Sequence, residues 1–453
     1  MNVVPRNFGT YFPSRRIVSF FVLLTILFSL SLPAAAQTSV EEWAAGLREK
    51  YAGVELRVAV ASHPSTEAFK AMIPSFEEMT GIRVILDEME EGALGQRITL
   101  EYEASQPTYD IVMTSVERNP RSAVRNYIQP IDAWVADPEL TPEWFDYEDI
   151  LQAYRDMYLY EGQYYAVPFA GETVFLFYRK DLFEKYEQAV PTTFDEVMAT
   201  AEFFNEREPG LSGVSFRARV GWEFAYTWSI FLFPFGGMMV DPATDEPMFT
   251  SEETRASLQY MIDLKQYGPL GMESFSFPEA WDSFMLGRAA MMIEASAAAP
   301  EVENPDKSLV AGNVGYARMP AGPAGAFSGV SGWGYGVTTG SANPEAAWSL
   351  IVYLTSKEMQ EEYLANGGIV SRQSALGDAE QQELFPYYGA TLEALQQAGD
   401  LSALGLSVVL PSPLWVPISD VMGNEGGRAF AGEITVEAAT DSIQAQVIEI
   451  LGQ

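Results

Sequence analysis

Hydrophobic and polar positions follow two rhythms over the first third of the chain. Leu56-Arg57-Val58-Ala59-Val60 alternates with a period near two, which predicts a strand. Phe69, Met72, Ile73 and Phe76 then recur at i, i+3, i+4 and i+7, which predicts a helix that Gly81 ends as a C-terminal cap. Ile82 to Leu86 reads as a second strand, the stretch from Leu94 towards Ala104 as a helix, and Tyr109 to Met113 as a third strand. A short helical stretch, Glu41 to Tyr51, precedes them all. Strands and helices alternating at this spacing predict an α/β fold with a mainly parallel sheet. Ligands of such sheets lie beyond the carboxyl ends of the strands, so Ala61–Ser65 and Thr114–Arg118 are the candidate loops.

Downstream the signals are sparser. Gly162 to Pro168 reads as a hairpin and Thr173 to Tyr178 as a strand. Thr193-Phe194-Asp195-Glu196 has the form of a capping box and starts a helix towards Asn205. Asn343-Pro344 opens another, which carries Ala347, Trp348, Ile351 and Leu354. Two segments rich in glycine and proline, Met319–Gly325 and Gly329–Gly340, read as tight turns or as crossings between domains.

The amino terminus follows a different pattern. Arg6, Arg15 and Arg16 precede an almost unbroken apolar run, Ile17 to Leu32, and Pro33-Ala34-Ala35-Ala36 supplies the small residues of a cleavage site. Residues 1–36 are therefore expected to be a secretory signal peptide removed after Ala36, which places the protein in a periplasm. The remainder of the 453 residues is long enough for two or three domains. With no cysteine there is no disulfide, thiolate metal site, cysteine nucleophile or lipid attachment point. The lone histidine, His63, rules out a multi-histidine metal site. A net charge of -35 makes nucleic acid and anionic membranes poor partners. Such acidity, with only 7 lysines, fits a saline habitat, simple solubility or a cationic ligand.

Candidate chemistry rests on aromatic residues beside charged ones. Trp222 and Trp228 bracket Glu223 and Tyr226, Trp281 follows Phe277 and Pro278, and Trp333 lies within Ser331-Gly332-Trp333-Gly334. All three groups read as loops, with Trp228 in the core, Trp222 exposed and the Trp333 indole unpacked by its glycine neighbours. A flat aromatic ring covers the C–H face of a sugar, while carboxylates and arginine bind its hydroxyl rim. Covering about 100 Å² of apolar surface contributes roughly 2.5 kcal/mol. Glycosidases use the same parts, but no carboxylate pair stands out among 62 acidic residues. Nor is there a phosphate-binding loop, a metal-ligand cluster or a nucleophile elbow.

A series of short segments then recurs in a familiar order. It comprises Phe76-Glu77-Glu78-Met79-Thr80-Gly81-Ile82-Arg83-Val84, Tyr109-Asp110-Ile111-Val112, Tyr165-Ala166-Val167-Pro168 and Tyr178-Arg179-Lys180-Asp181-Leu182-Phe183. Pro191 to Glu196, Gly236-Gly237, Phe284 to Met291 and Gly332-Trp333-Gly334 complete it. In that order they resemble the extracellular solute-binding proteins of carbohydrate ABC transporters, the group of maltose- and trehalose-binding proteins. The resemblance implies two α/β lobes of the periplasmic binding protein type, joined by two or three crossings around a ligand cleft. Residues 37–171 with 325–372 would form one lobe, and 172–324 with 373–453 the other. It also implies that Glu117 and Arg118 grip ligand hydroxyls, that Glu172 lies at the first crossing, and that Trp333 stacks on the sugar. The segment Trp222 to Trp228, with Glu223 and Tyr226, would furnish the second lobe's aromatic wall, and Arg372 would point at the cleft; Trp281 joins the candidates on its own sequence context. His63 stands where the family carries an aspartate, a departure that bears on ligand orientation. The expected protein is a monomeric, non-enzymatic receptor without cofactor or metal, which passes a mono- or oligosaccharide to a membrane permease. A polyamine, polyol or glycerol phosphodiester in the same architecture is the alternative, followed by a glycoside hydrolase.

Overall fold

The computed structural model describes residues 38–103 and 108–452, so the expected leader lies outside the described residues. The chain opens with α1 (Val40–Tyr51), β1 (Glu55–Ala61), α2 (Pro64–Thr80), β2 (Arg83–Met89), α3 (Glu91–Glu103), β3 (Ile111–Ser115) and α4 (Asn119–Val124). This is the order that the periodicity predicts. Gly81 ends α2 at φ 69°, where a side chain would be strained. β1 lies parallel to both β2 and β3, with Val58 beside Leu86 and Ile111.

Seven further strands are β4 (Leu159–Tyr160), β5 (Gln163–Tyr164), β6 (Val167–Arg179), β7 (Ser212–Ser215), β8 (Ala289–Ala295), β9 (Val314–Ala317) and β10 (Val330–Val337). β4 and β5 form a small hairpin of their own, and the main sheet runs β2-β1-β3-β10-β6-β8-β7 with β9 also on β6. β7 and β8 are parallel, whereas β10 and β6 enter the sheet antiparallel to their neighbours. The sheet is thus mixed.

β6 ties the molecule together. Its residues Val167 to Thr173 pair with β10, and Val174 to Tyr178 pair with β8. Where partners change, side chains take over from the ladder. The Thr173 amide donates to Ser296 Oγ at 3.0 Å, and the Val174 amide to Ser328 Oγ at 3.2 Å. The Ser328 hydroxyl in turn donates to the Val174 carbonyl at 2.8 Å. Strand side chains alternate between faces. Val174 and Leu176 accordingly enter one hydrophobic core with Trp228, Phe231 and Trp415, while Phe175 and Phe177 enter another with Phe69, Val58 and Trp348.

Three expectations are corrected. The hairpin and the separate strand expected at 162–178 are in fact the β4–β5 turn and one 13-residue strand. Pro168 is tolerated there because the register with β10 slips beside it. The glycine-rich stretch 329–340 contains a strand, β10, rather than turns alone. Gly332 adopts φ 144°, and a Cβ there would stand 2.1 Å from the Ala170 carbonyl oxygen, so the glycine permits close strand pairing. Finally, Trp222 and Trp228 lie on the helix Trp222–Leu232 and Trp281 on the helix Phe277–Met285, not on loops. The first of these helices is buried from Glu223 to Leu232, which erases the one-sided periodicity of a surface helix. No helix among the described residues is long and apolar enough to cross a membrane.

Candidate functional site

A cavity of about 810 Å³ opens between the two cores. One wall comes from the carboxyl ends of β1 and β3 with α3 and the first turn of α4. The other comes from the helices Trp222–Leu232, Phe277–Met285 and Trp415–Phe430, and β6 and β10 contribute Glu172, Ser331 and Trp333 between them. Both loops singled out by topology, at residues 61–65 and 114–118, reach it.

His63 is the N-cap of α2. Its Nδ1 accepts the Ser65 amide at 3.2 Å, which leaves the ring proton on Nε2, and Nε2 donates to Glu172 Oε1 at 3.2 Å. A short polar cap is what the α2 terminus requires, so one side chain both starts the helix and orients the acid of β6. The His63 ring also lies 5.9 Å from the Trp333 ring. On the β3 loop, Ser115 Oγ donates to Glu117 Oε1 at 2.5 Å, and Arg118 Nη1 donates to Ser115 Oγ and Glu117 Oε1 at 2.9 and 3.0 Å. The Tyr158 hydroxyl donates near the carbonyls of Thr114 and Gly332, at 3.2 and 3.1 Å, and so pins that loop to β10.

The opposite wall is organised by Arg217, a buried cation just beyond β7. It holds Glu294 of β8 through Nε at 2.9 Å and Nη2 at 2.5 Å, and its Nη1 reaches Glu223 at 3.2 Å. Burial acts against the guanidinium charge, but Glu294 and Glu223 outweigh it and raise its pKa well above the ordinary value. The same cation lies 4.6 Å from the Tyr226 ring centroid and 4.4 Å from that of Phe277. The aromatic wall is therefore fixed on a charge rather than free to collapse. Ser276 and Glu279 bond to each other, the Ser276 amide donating to Glu279 at 2.9 Å, and this start signal fixes the helix that presents Phe277 and Trp281. Tyr226 spans towards β10, its hydroxyl 3.3 Å from Ser331 Oγ.

Glu91, the first residue of α3, lines the same space. Its surface meets the cavity, yet protein surrounds it, and this desolvation pushes its carboxyl pKa up to about 8. Arg118 and Arg217 oppose that shift, and Glu117 and Glu223 add to it. Further out, Arg121 of α4 faces Asp420 across the gap, lowering a carboxyl pKa that burial raises.

Of the ten residues expected at the site, His63, Glu117, Arg118, Glu172, Trp222, Tyr226, Trp281 and Trp333 line the cavity. Glu223 stands one layer behind, on Arg217. Trp333 is only 6 % exposed, so its indole is packed rather than free, and Trp228 is core with its Nε1 donating to Ser257. Arg372 does not line the cavity. Its fully buried guanidinium is taken up by the carbonyls of Phe145, Asp146 and Thr355 and by Asp149. Arg217, Glu294, Glu91, Arg121 and Trp415 escaped the sequence reading. Two carried a signal: Glu294 interrupts the apolar run Met291-Met292-Ile293, and Arg217 falls between Phe216 and Ala218. A charge inside a buried strand pattern requires a partner.

The profile of the bacterial extracellular solute-binding protein family matches residues 61–361. The chain belongs to that family. The mannitol-binding protein of Pseudomonas aeruginosa is 25% identical over 374 residues, which cover 78% of this solute-binding protein and 82% of that one. An ABC transporter solute-binding protein from Agrobacterium radiobacter, solved in complex with ribitol, is 26% identical with a TM-score of 0.82, covering 88% and 99% of the two chains. Another, from Agrobacterium vitis with bound D-mannitol, is 26% identical with a TM-score of 0.80 over 88% and 99%. This solute-binding protein therefore has the two-lobed fold of its family, with the cavity in the cleft.

Proposed function

We propose that this protein is the receptor of an ABC importer, and that it encloses a sugar or sugar alcohol in the cleft and hands it unchanged to a permease. The observation that carries the proposal is the pairing of an aromatic wall with prefixed charged hydrogen-bonding groups across one cavity. Trp222, Tyr226, Trp281 and Trp333 cover C–H faces, while Glu172, Glu117 and Arg118 bind hydroxyls. The mannitol and ribitol bound by similar proteins support this class of ligand. Arg118, Arg121 and Arg217 stand among a larger number of carboxylates on the walls, so a polyamine is the reading to test against. Residues 1–36 would act as the cleaved export signal to the periplasm. Lobe boundaries near residues 172 and 325 fit the change of partners along β6, whereas the third crossing fits better beyond Ser374, which bonds Asp149.

Closure would be a population shift. Moving from 1:99 to 99:1 closed needs the ligand to prefer the closed form by about 5.5 kcal/mol, and contacts on both walls at once supply such a preference. Calorimetry with D-mannitol, ribitol, maltose and spermidine, combined with small-angle scattering, tests the reading. Stoichiometric heat and compaction with a polyol or saccharide, and its recovery intact, are expected. Binding of spermidine alone, or turnover of the saccharide, would refute it.

A further inference from the structure

α3 brings Gly95 to the cavity wall. Residue 95 of α3 is a glycine in the body of the helix, where glycine is a poor helix former. The structure accounts for it: a Cβ on Gly95 would stand 2.7 Å from Arg118 Nε, 2.9 Å from Nη2 and 3.1 Å from Cζ. The guanidinium therefore lies on the main chain of α3. Its Nη1 end is tied to Ser115 and Glu117. Its Nε–Nη2 edge has no further hydrogen-bond partner among the described residues and rests at Gly95.

We infer that Gly95 is a specificity-determining position of the cleft, whose missing side chain seats the Arg118 guanidinium at the distance from which it meets the ligand. The inference rests on the reading of the cavity as a ligand site. An arginine side chain is long and adapts, so a methyl group at residue 95 displaces it instead of unfolding the helix. The displaced group moves by a large part of an ångström, enough to misalign a charge-assisted hydrogen bond. Glu117 moves with it, because both hold Ser115 Oγ. Selection at the cleft thus acts through an absence of atoms on a neighbouring helix.

The test is Gly95→Ala, alone and combined with Arg118→Gln. The melting temperature of the empty protein should hold or rise, since alanine favours the helix. Affinity for the tightest binder among D-mannitol, ribitol and maltose should fall at least tenfold by calorimetry. In the Arg118→Gln background the second substitution should cost nothing more, since the group it displaces is gone. The Nε–Hε resonance of Arg118, identified by its loss in Arg118→Gln, should shift in Gly95→Ala without ligand. Unchanged affinity with an unmoved resonance would overturn the inference while leaving the receptor reading intact. If no solute binds the wild type, the receptor reading fails, and the resonance still decides whether Gly95 seats Arg118.

Discussion

At the scale of single residues, the site is built from charges that neutralise one another before any ligand arrives. Arg217 illustrates the rule, because it is buried between Glu294, Glu223 and two rings. Removing the cation leaves two carboxylates in a dry wall. Arg217→Met should therefore destabilise the protein by about 3–5 kcal/mol in denaturant titrations. The triple variant that also carries Glu223→Gln and Glu294→Gln should recover part of that loss, but bind no saccharide. Equal destabilisation in both would show that packing, not charge, is what Arg217 contributes. This triad was half legible in the sequence: Glu223 was singled out beside Trp222, but its cation comes from the segment after β7 and the second acid from β8. Spacing along the chain does not report a contact 77 residues apart.

Elements explain which residues could be read and which could not. The start of β1 and the whole of α2 were legible because burial there favours one face and writes a period into the sequence, whereas β3 is buried throughout and shows only as a short apolar run. The helix Trp222–Leu232 is buried all round and wrote none. Arg372 was expected at the cleft through the family resemblance alone, and its loop does lie near β6, the Gly171 amide donating to the Val370 carbonyl. Its charge is consumed by carbonyls, which only the fold places. α2 offers a test of how an element start serves the site, since His63 both caps it and orients Glu172. Asparagine can keep the cap but cannot reach Glu172. His63→Asn leaves the buried Glu172 carboxylate without its donor and should lose about 1–3 kcal/mol, and His63→Ala, which also loses the cap, about 1 kcal/mol more. Both should weaken sugar binding in calorimetry; full affinity in His63→Asn would remove Glu172 orientation from the list of its roles.

For the whole molecule, cleft and stability are linked through protons. The carboxyl of Glu91 keeps its proton to about pH 8 in the fold, whereas in the unfolded chain it ionises near 4.5. Between those values the folded state binds the extra proton, so the stability due to Glu91 is complete below 4.5 and is lost as pH rises through 8. In Glu91→Gln this loss is absent. The variant should gain on the wild type from pH 5 to 9, by about 2 kcal/mol, since cavity water screens part of the burial. A constant difference across that range would contradict the assignment. The proposed closure requires the cleft to change shape, and β6 runs without interruption from its pairing with β10 to its pairing with β8. A serine oxygen swings about the Cα–Cβ bond, so Ser296 and Ser328 Oγ can follow the amides of Thr173 and Val174 as the strand swivels. Ladder carbonyls, fixed in their own strands, could not. The two serines would thus act as bearings, and those two amides are expected to stay protected from hydrogen exchange both with and without a bound polyol.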